Sequence, residues 1–384
     1  MRNLLLLALP LALVPLALAG PRPDTLPGDE LADGLALGVA DWLDQSVHAD
    51  QFGTKSALFD EEWMFGTWMM AAVGFYQHGM AHPDAAASDL VRMEACIDVL
   101  LGPDGLAFDA RRWGSSPLDD LDDVQRGHAA WLGYANLPLA LHHRWMLAEG
   151  RPDRFADVHE QVSAALVARL PSPIIETYPG EAYPVDNAAG YGSLGIYAAS
   201  PGAPDTARVA LATAMDRLFA SWREPETGLL YQNLPSEGIA AGHGPPRGSG
   251  TFLSAWFLGF ADPARAGTLY GAGNRYLYEP LGPLGAMREY RYDTDGDMDI
   301  DSGPLIFGRG VSATAFAIGA ARAAGDASTA AALIRTATVF GAPTYDESGA
   351  LHFRAAGPTI CGSEGCGALA DAILFAMVTT PRRE

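Results

Sequence analysis

Basic residues are in short supply in this chain: 25 Lys and Arg stand against 46 Asp and Glu, a formal charge of −21. That deficit excludes nucleic acid and anionic membrane surfaces as partners, because both would be repelled. Long apolar runs are also lacking after the first twenty residues. No later segment reaches ~18 uninterrupted apolar residues, so the mature protein is expected to be soluble, with no membrane partner. Cysteine is scarce, with three in all. Cys361 and Cys366 flank "GSEG" and are spaced to close a small disulfide loop in an oxidising compartment. Cys96, inside the helical pattern "VRMEACIDVLL", is expected to be a buried small hydrophobe.

The first residues, "MRNLLLLALPLALVPLALAG", combine a positive start at Arg2, an apolar run from Leu4 to Leu16, and Ala17-Leu18-Ala19 before Gly20. This is the pattern of a secretory signal peptide covering residues 1–19. No cysteine follows the cut, which excludes a lipid-anchored lipoprotein. The expected product is a secreted or periplasmic protein, with residues 20–384 as one domain.

Helical periodicity fills that domain. The segments run over 29–48, 60–80, 84–101, 123–148, 154–170, 186–199, 204–223, 248–261, 262–278, 302–324, 327–340 and 366–379. Several open on Asp or Pro signals, as in "PDTARVAL", "DPARAGTL" and "GDASTAAA". Two kinds alternate. Some are amphipathic with a charged face, such as "RFADVHEQVSAALVARL". Others are apolar nearly all round, such as "FGTWMMAAVGFY" and "NAAGYGSLGIYAA", and so must be buried on every side. Short Gly-containing turns with a brief strand-like stretch recur at "GPDGLAF" (102–108), "PETGLLY" (225–231), "LGPLGAM" (281–287) and "DESGALHF" (346–353). A supersecondary unit repeated about every 60 residues points to a closed or stacked array. Six amphipathic and six buried helices in alternation fit two concentric rings. The fold class is all-α, an (α/α)6 toroid of six helical hairpins.

On this alternation and these turns the chain resembles the six-hairpin glycosidase superfamily over nearly all of its mature length. The resemblance implies a hydrolase acting on a carbohydrate in a central funnel. A weaker similarity is to the linalool dehydratase-isomerase family. The stretch "RGHAAWLGYANLPLALHHR" looks like that family's His-bearing inner helix, which would place His128 in the site. That family also carries two cysteines around a carboxylate segment. Here the segment "YPVDNAAGYGSLGIY" has Asp186 and no cysteine.

In a toroid the loops that enter the inner helices line one mouth, and this chain crowds functional groups there. "FDEEWMF" offers Asp60, Glu61, Glu62 and Trp63. "RRWGSSPLDDLDDVQRGH" offers Trp113, four aspartates, Arg126 and His128. "ETYPGEAYPVDN" offers Tyr178, Glu181, Tyr183, Asp186 and Asn187. "GHGPPRGSG" carries His243 and Arg247, and "REYRYDTDGDMDIDSGP" carries Glu289, Tyr290 and alternate aspartates. Each has an ordinary structural reading beside it. Asp186 and Asp301 would serve as helix N-caps, His128 as a hydrogen-bonded core histidine, and Trp113 and Tyr183 as rim aromatics. Together they suit a polyhydroxylated substrate, with aromatic faces for sugar C–H surfaces and carboxylates and Arg for hydroxyls. Two carboxyl groups on opposite walls divide acid and base work.

Asp186 and Asp301 are the expected primary pair, with Asp299, Glu289 and His128 as further catalytic candidates. Trp63, Trp113, Arg126, Tyr183, Asn187, Arg247 and Tyr290 are the expected substrate-binding residues. Crowding among carboxylates suits one Asp to act as the acid, while Arg288 or Arg291 would keep another ionised. No cofactor and no metal are expected. The aspartates at 293–301 fail the register of a helical calcium loop. Gly296 at the sixth position puts Arg291 first and Ser302 twelfth, and Asp293 at the first position puts Met298 where Gly belongs. Asp293 to Asp297 are left as an acidic turn or a weak ion site.

Three functions fit this reading. The first is an exported enzyme acting on an oligosaccharide or polyol. The second is a dehydratase/isomerase-like lyase on a small hydrophobic alcohol using His128, Tyr183 and Asp186. The third is a non-catalytic glycan-binding toroid.

Overall fold

The structure is a computed structural model that describes residues 28–236, 242–294, 296–298, 302–355 and 364–382. The signal-peptide segment, Asp295, Asp299, Asp301 and Cys361 lie outside the described residues. In chain order the helices are α1 (Gly28–Asp44), α2 (Ala57–Ala81), α3 (Ala86–Leu101), α4 (Pro103–Trp113), α5 (Ala129–Glu149), α6 (Ala156–Arg169) and α7 (Pro184–Ala199). There follow α8 (Asp205–Ser221), α9 (Gly248–Leu258), α10 (Pro263–Leu277), α11 (Val311–Ala323), α12 (Ala327–Phe340) and α13 (Glu364–Thr379).

Packing partners define the architecture. α2 packs on α5, α5 on α7, α7 on α9, α9 on α11, α11 on α13, and α13 back on α2. These six helices close an inner ring. Outside it, α3 backs α2, α6 backs α5, α8 backs α7, α10 backs α9 and α12 backs α11, while α1 backs α13. The all-α toroid of paired rings is therefore observed, and the first and last helical elements meet at the seam that closes it.

The sequence accounts for the division into rings. α2 is buried without interruption from Thr67 through Phe75 to Gly79, in keeping with its all-round apolar pattern. α3 buries a stripe that includes Leu90, Met93, Ile97 and Leu100, at the spacing of a single helix face. Glycine sets how closely the inner helices approach. A Cβ on Gly133 of α5 would lie 2.8 Å from the Asp186 carbonyl oxygen on α7. One on Gly192 of α7 would lie 2.5 Å from the Phe257 carbonyl oxygen on α9. In both places the neighbour is backbone, so any larger residue would push the ring apart. Asp262 and Asp326 cap α10 and α12, their carboxylates accepting from Ala264 N and Arg265 N, and from Thr329 N.

Three local expectations are corrected. "GPDGLAF" is not a strand-like turn: Pro103 at the first position, where a missing N–H costs nothing, opens α4. The helix expected from residue 123 starts at Ala129. Gly127 lies so close to Glu176 that a Cβ would sit 2.1 Å from its carbonyl oxygen, and His128 has a left-handed backbone with φ 49°. His128 is thus the N-cap of α5 and not a residue within it. The helix expected from residue 302 starts at Val311, because β3 (Leu305–Ile306) and β4 (Arg309–Gly310) form a hairpin first. Phe307 and Gly308, both at positive φ, make its turn. The N-cap of α11 is Gly310. The turns at 281–287 and 346–353 do form strand-like pairs, β1 (Tyr278–Leu281) with β2 (Leu284–Met287) and β5 (Pro343–Tyr345) with β6 (Leu351–Phe353). The "PETGLLY" turn closes on a single bridge between Arg223 and Leu230. Among the described residues no helix is long and apolar enough to cross a membrane.

Candidate active site

All six inner helices send residues into one cavity of about 420 Å³. α2 contributes Glu62, Trp63 and Met69, α5 contributes Tyr134, α7 contributes Asp186, α9 contributes Ser249, α11 contributes Phe316, and α13 contributes Leu369 and Ile373. Loops add Thr177, Tyr178, Glu181, Tyr183, Gln232, Arg247 and Gly303, and α4 adds Phe108 and Arg112. The wall has two characters. Phe59, Phe65, Met69, Met70, Leu253, Leu369 and Ile373 make an apolar part, and the polar groups form a band from Glu62 through Asp186 to Arg247.

Asp186 is the carboxylate most firmly placed in that band. It lies in the first turn of α7 and is 7% exposed. The Tyr134 hydroxyl donates to its Oδ1 at 2.9 Å, and the Thr177 hydroxyl donates to Oδ2 at 2.6 Å. Asn187, the next residue, faces away from the cavity. Its amide clamps the backbone of Ile175 at 3.0 Å through both its oxygen and its nitrogen. That clamp holds the segment carrying Thr177 and Tyr178 against α7.

Glu62 reaches the same band from α2 and accepts from the Tyr178 hydroxyl at 3.1 Å. Burial, with Glu62 and Asp186 both nearby, pushes the Tyr178 hydroxyl well up from its ordinary value. Tyr178 therefore stays protonated and remains a donor between two carboxylates. The Arg112 guanidinium lies 4.6 Å from the Tyr178 ring centre and pairs with Glu181. Tyr183 donates to Glu181 at 3.1 Å. Glu289 is fully buried and is not part of the cavity lining. It accepts from the Ser249 hydroxyl at 2.5 Å and lies 3.4 Å from the Arg247 guanidinium, so it supports two residues that do face the cavity.

The remaining expected residues are distributed as follows. Trp63, Tyr183, Asp186 and Arg247 line the cavity, whereas Trp113, Arg126, His128, Asn187, Glu289 and Tyr290 do not. Asp299 and Asp301 lie outside the described residues, although Gly303, two residues further on, is in the wall. His128 is buried between two carboxylates, its Nδ1 on Asp109 and its Nε2 3.1 Å from Asp120. The Trp113 ring covers it at 4.8 Å between centres. Burial pushes the Asp109 carboxyl up. Arg126 braces the same loop, donating to the Trp113 carbonyl at 2.8 Å and to Ser115 at 2.5 Å. Tyr290 donates to the Asp297 carbonyl oxygen at 3.2 Å.

Glu62, Tyr178 and Glu181 stood in the mouth stretches that sequence singled out. Thr177 and Ser249 stand in the same stretches, "ETYPGEAYPVDN" and "GHGPPRGSG", without having been singled out, and Tyr134 lies beyond them on α5, since a lone hydroxyl on an apolar helix or in a loop gives no signal without its partner. Among the described residues the one grouping of three metal-ligating side chains, Asp33, His78 and His82, stands outside the cavity.

A ring of helical hairpins around a cavity that gathers carboxylates at the helix N-termini places the chain with (α/α) toroids. Among solved structures it is similar to the GH76A alpha-1,6-mannanase from Salegentibacter sp. HEL1_6, with a TM-score of 0.53 over 91% of this chain and 98% of that one. Sequence identity is 9%, so the likeness is one of fold. No family model and no curated protein matches the sequence.

Proposed function

We propose that the protein is an exported enzyme that cleaves a carbohydrate or related polyol by general acid–base catalysis in this cavity. Asp186 and Glu62 are the carboxyl pair among the described residues. In glycoside cleavage one carboxylic acid protonates the leaving oxygen, while a second carboxylate activates water or attacks the anomeric carbon. The observation that carries the reading is Asp186, a carboxylate on the cavity wall fixed by two hydroxyl donors. Asp301 and Asp299 compete with Glu62 for the second role, as their segment leads into Gly303. Trp63 and Tyr183 offer faces for sugar rings, and Arg247 and Glu181 offer partners for hydroxyls. The fold neighbour is named as an alpha-1,6-mannanase, which makes α-linked manno-oligosaccharides the first substrates to offer.

A second reading, a lyase on a small hydrophobic alcohol, is favoured by the apolar part of the wall, Phe65, Met69, Leu369 and Ile373. Against it, His128 stands off the cavity. The test is a substrate panel of manno-oligosaccharides, other α- and β-linked oligosaccharides, and small terpene alcohols. New reducing ends from an oligosaccharide are expected. Conversion of an alcohol with every glycan intact would establish the second reading instead, and glycan binding without turnover would leave a binding toroid.

A further inference from the structure

The seam where the ring closes carries a cluster unconnected with the cavity. His78 and His82 sit one turn apart at the C-terminal end of α2, with Asp33 opposite on α1 and Asp89 on α3. His78 lies more than four turns beyond Glu62 on the same helix, roughly 24 Å along its axis. His78 Nδ1 donates to Asp89 at 2.6 Å, and its Nε2 faces Asp33 Oδ1 at 2.9 Å. The His82 ring stacks on that of His78 with 4.4 Å between centres and a 24° tilt. His82 Nδ1 lies 4.0 Å from the same Asp33 oxygen.

We infer that Asp33, His78 and His82 form a binding site for one divalent transition metal of the zinc type. Several features support this. The three ligand atoms lie within 4.8 Å of one another. Ligand atoms on a tetrahedral zinc ion, bonded at ~2.0–2.1 Å, stand about 3.3 Å apart. The observed 2.9 Å and 4.0 Å separations from Asp33 bracket that value, and the Asp33 carboxylate is exposed. Two imidazoles and one carboxylate are a donor set that suits zinc and its neighbours over calcium or magnesium. Asp89 stands where the outer carboxylate of a metal-bound histidine belongs: fully buried, it holds His78 Nδ1–H, so a metal entering the site would take the place of the proton between Nε2 and Asp33. Arg92, 3.5 Å from Asp89, holds that carboxylate in turn.

A hydrogen-bonded ion pair explains His78 alone. It gives no reason for His82 to stack on His78 with its Nδ1 toward the same oxygen. A shared metal does. The ion would join α1 and α2 directly and α3 through Asp89, and Phe375 of α13 packs against His78 with 5.8 Å between ring centres. It would therefore tie α1 to α2 beside the seam and act on stability, not on the reaction.

The full-length protein, stripped of metal, should be titrated with Zn²⁺ against a chromophoric chelator and its melting temperature followed. One equivalent is expected to bind and raise the melting temperature. His82→Ala and Asp33→Ala should each abolish that binding. Asp89→Asn should weaken it ~10–100-fold while keeping the stoichiometry. Asp33 is largely exposed, so Asp33→Ala keeps the test alive should His82→Ala fold poorly. No zinc bound by the wild type, or binding that persists in Asp33→Ala, would overturn the site.

Discussion

Asp186 and Glu289 are both buried carboxylates beside hydroxyl donors, and their surroundings give them different work. Asp186 faces the cavity, with its two oxygens held by Tyr134 and Thr177. Glu289 faces inward, with Ser249 and the buried Arg247 as partners. Removing the negative charge at Glu289 leaves a guanidinium buried beside a neutral group, and breaking a buried pair costs about 3–5 kcal/mol. Glu289→Gln is expected to lower the melting temperature by several degrees. A thermal melt checks this, and an unchanged midpoint would mean that the pair is energetically idle. His128 follows the same logic. Its two carboxylate partners and the Trp113 ring hold the loop before α5, off the cavity wall.

At the scale of the element, periodicity carried most of the information. α3 and α12 could be placed from their apolar stripes and their flanking residues, and α2 from being apolar all round. The pattern failed where a backbone contact outranked it. Gly127 against Glu176 and the left-handed His128 end the helix that composition would extend backwards to Asp123. The β3–β4 hairpin, with its positive-φ turn, occupies the first part of what resembles a longer α11. The metal-type cluster escaped for another reason. His78 and His82 are four residues apart and visible as a pair, but Asp33 lies 45 residues away from His78 and is brought in only where α1 packs beside α2.

The packing of α5 on α6 makes one measurable prediction. His142, His143 and His159 gather there around Asp153. Burial, with the neighbouring His143, pushes His159 down to about 4. Burial works to raise Asp153, but hydrogen bonds from His142, the Phe155 amide and His143 hold it at about 2. In the unfolded chain His159 takes its proton near its ordinary value of 6.5, so the unfolded state binds more protons between there and 4. Stability contributed by neutral His159 is present above pH ~6.5 and is lost as pH falls toward 4, up to about 3 kcal/mol. Asp153 extends the loss between 3.8 and 2. His159→Gln should flatten the fall in melting temperature between pH ~6.5 and ~4.5. An unaltered slope would assign the acid sensitivity to other groups.

For the whole molecule, the closed ring explains how residues from Glu62 to Ile373 come to share one cavity. Each inner helix lends part of its length to the same cavity, so groups spread along the entire chain converge there. That convergence was legible from the alternation of helix types, and four of the residues it pointed to, Trp63, Tyr183, Asp186 and Arg247, stand on the cavity wall. Which residues of a mouth stretch turn inward was not legible. Asp186 and Asn187 are adjacent, yet one faces the cavity and the other clamps Ile175, because successive residues of a helix lie about 100° apart.

In the proposed reaction Asp186 transfers a proton or attacks the substrate, and does not merely hold α7 in place. Asn has the shape of Asp and accepts from Tyr134 or Thr177 through its carbonyl oxygen, but it cannot exchange the proton. The decisive measurement is kcat of Asp186→Asn on the oligosaccharide that the wild type cleaves, taken beside its melting temperature. The result expected is a ~10²–10⁴-fold loss of turnover with the melting temperature close to that of the wild type. Full turnover in Asp186→Asn would contradict the claim and return the residue to a structural role.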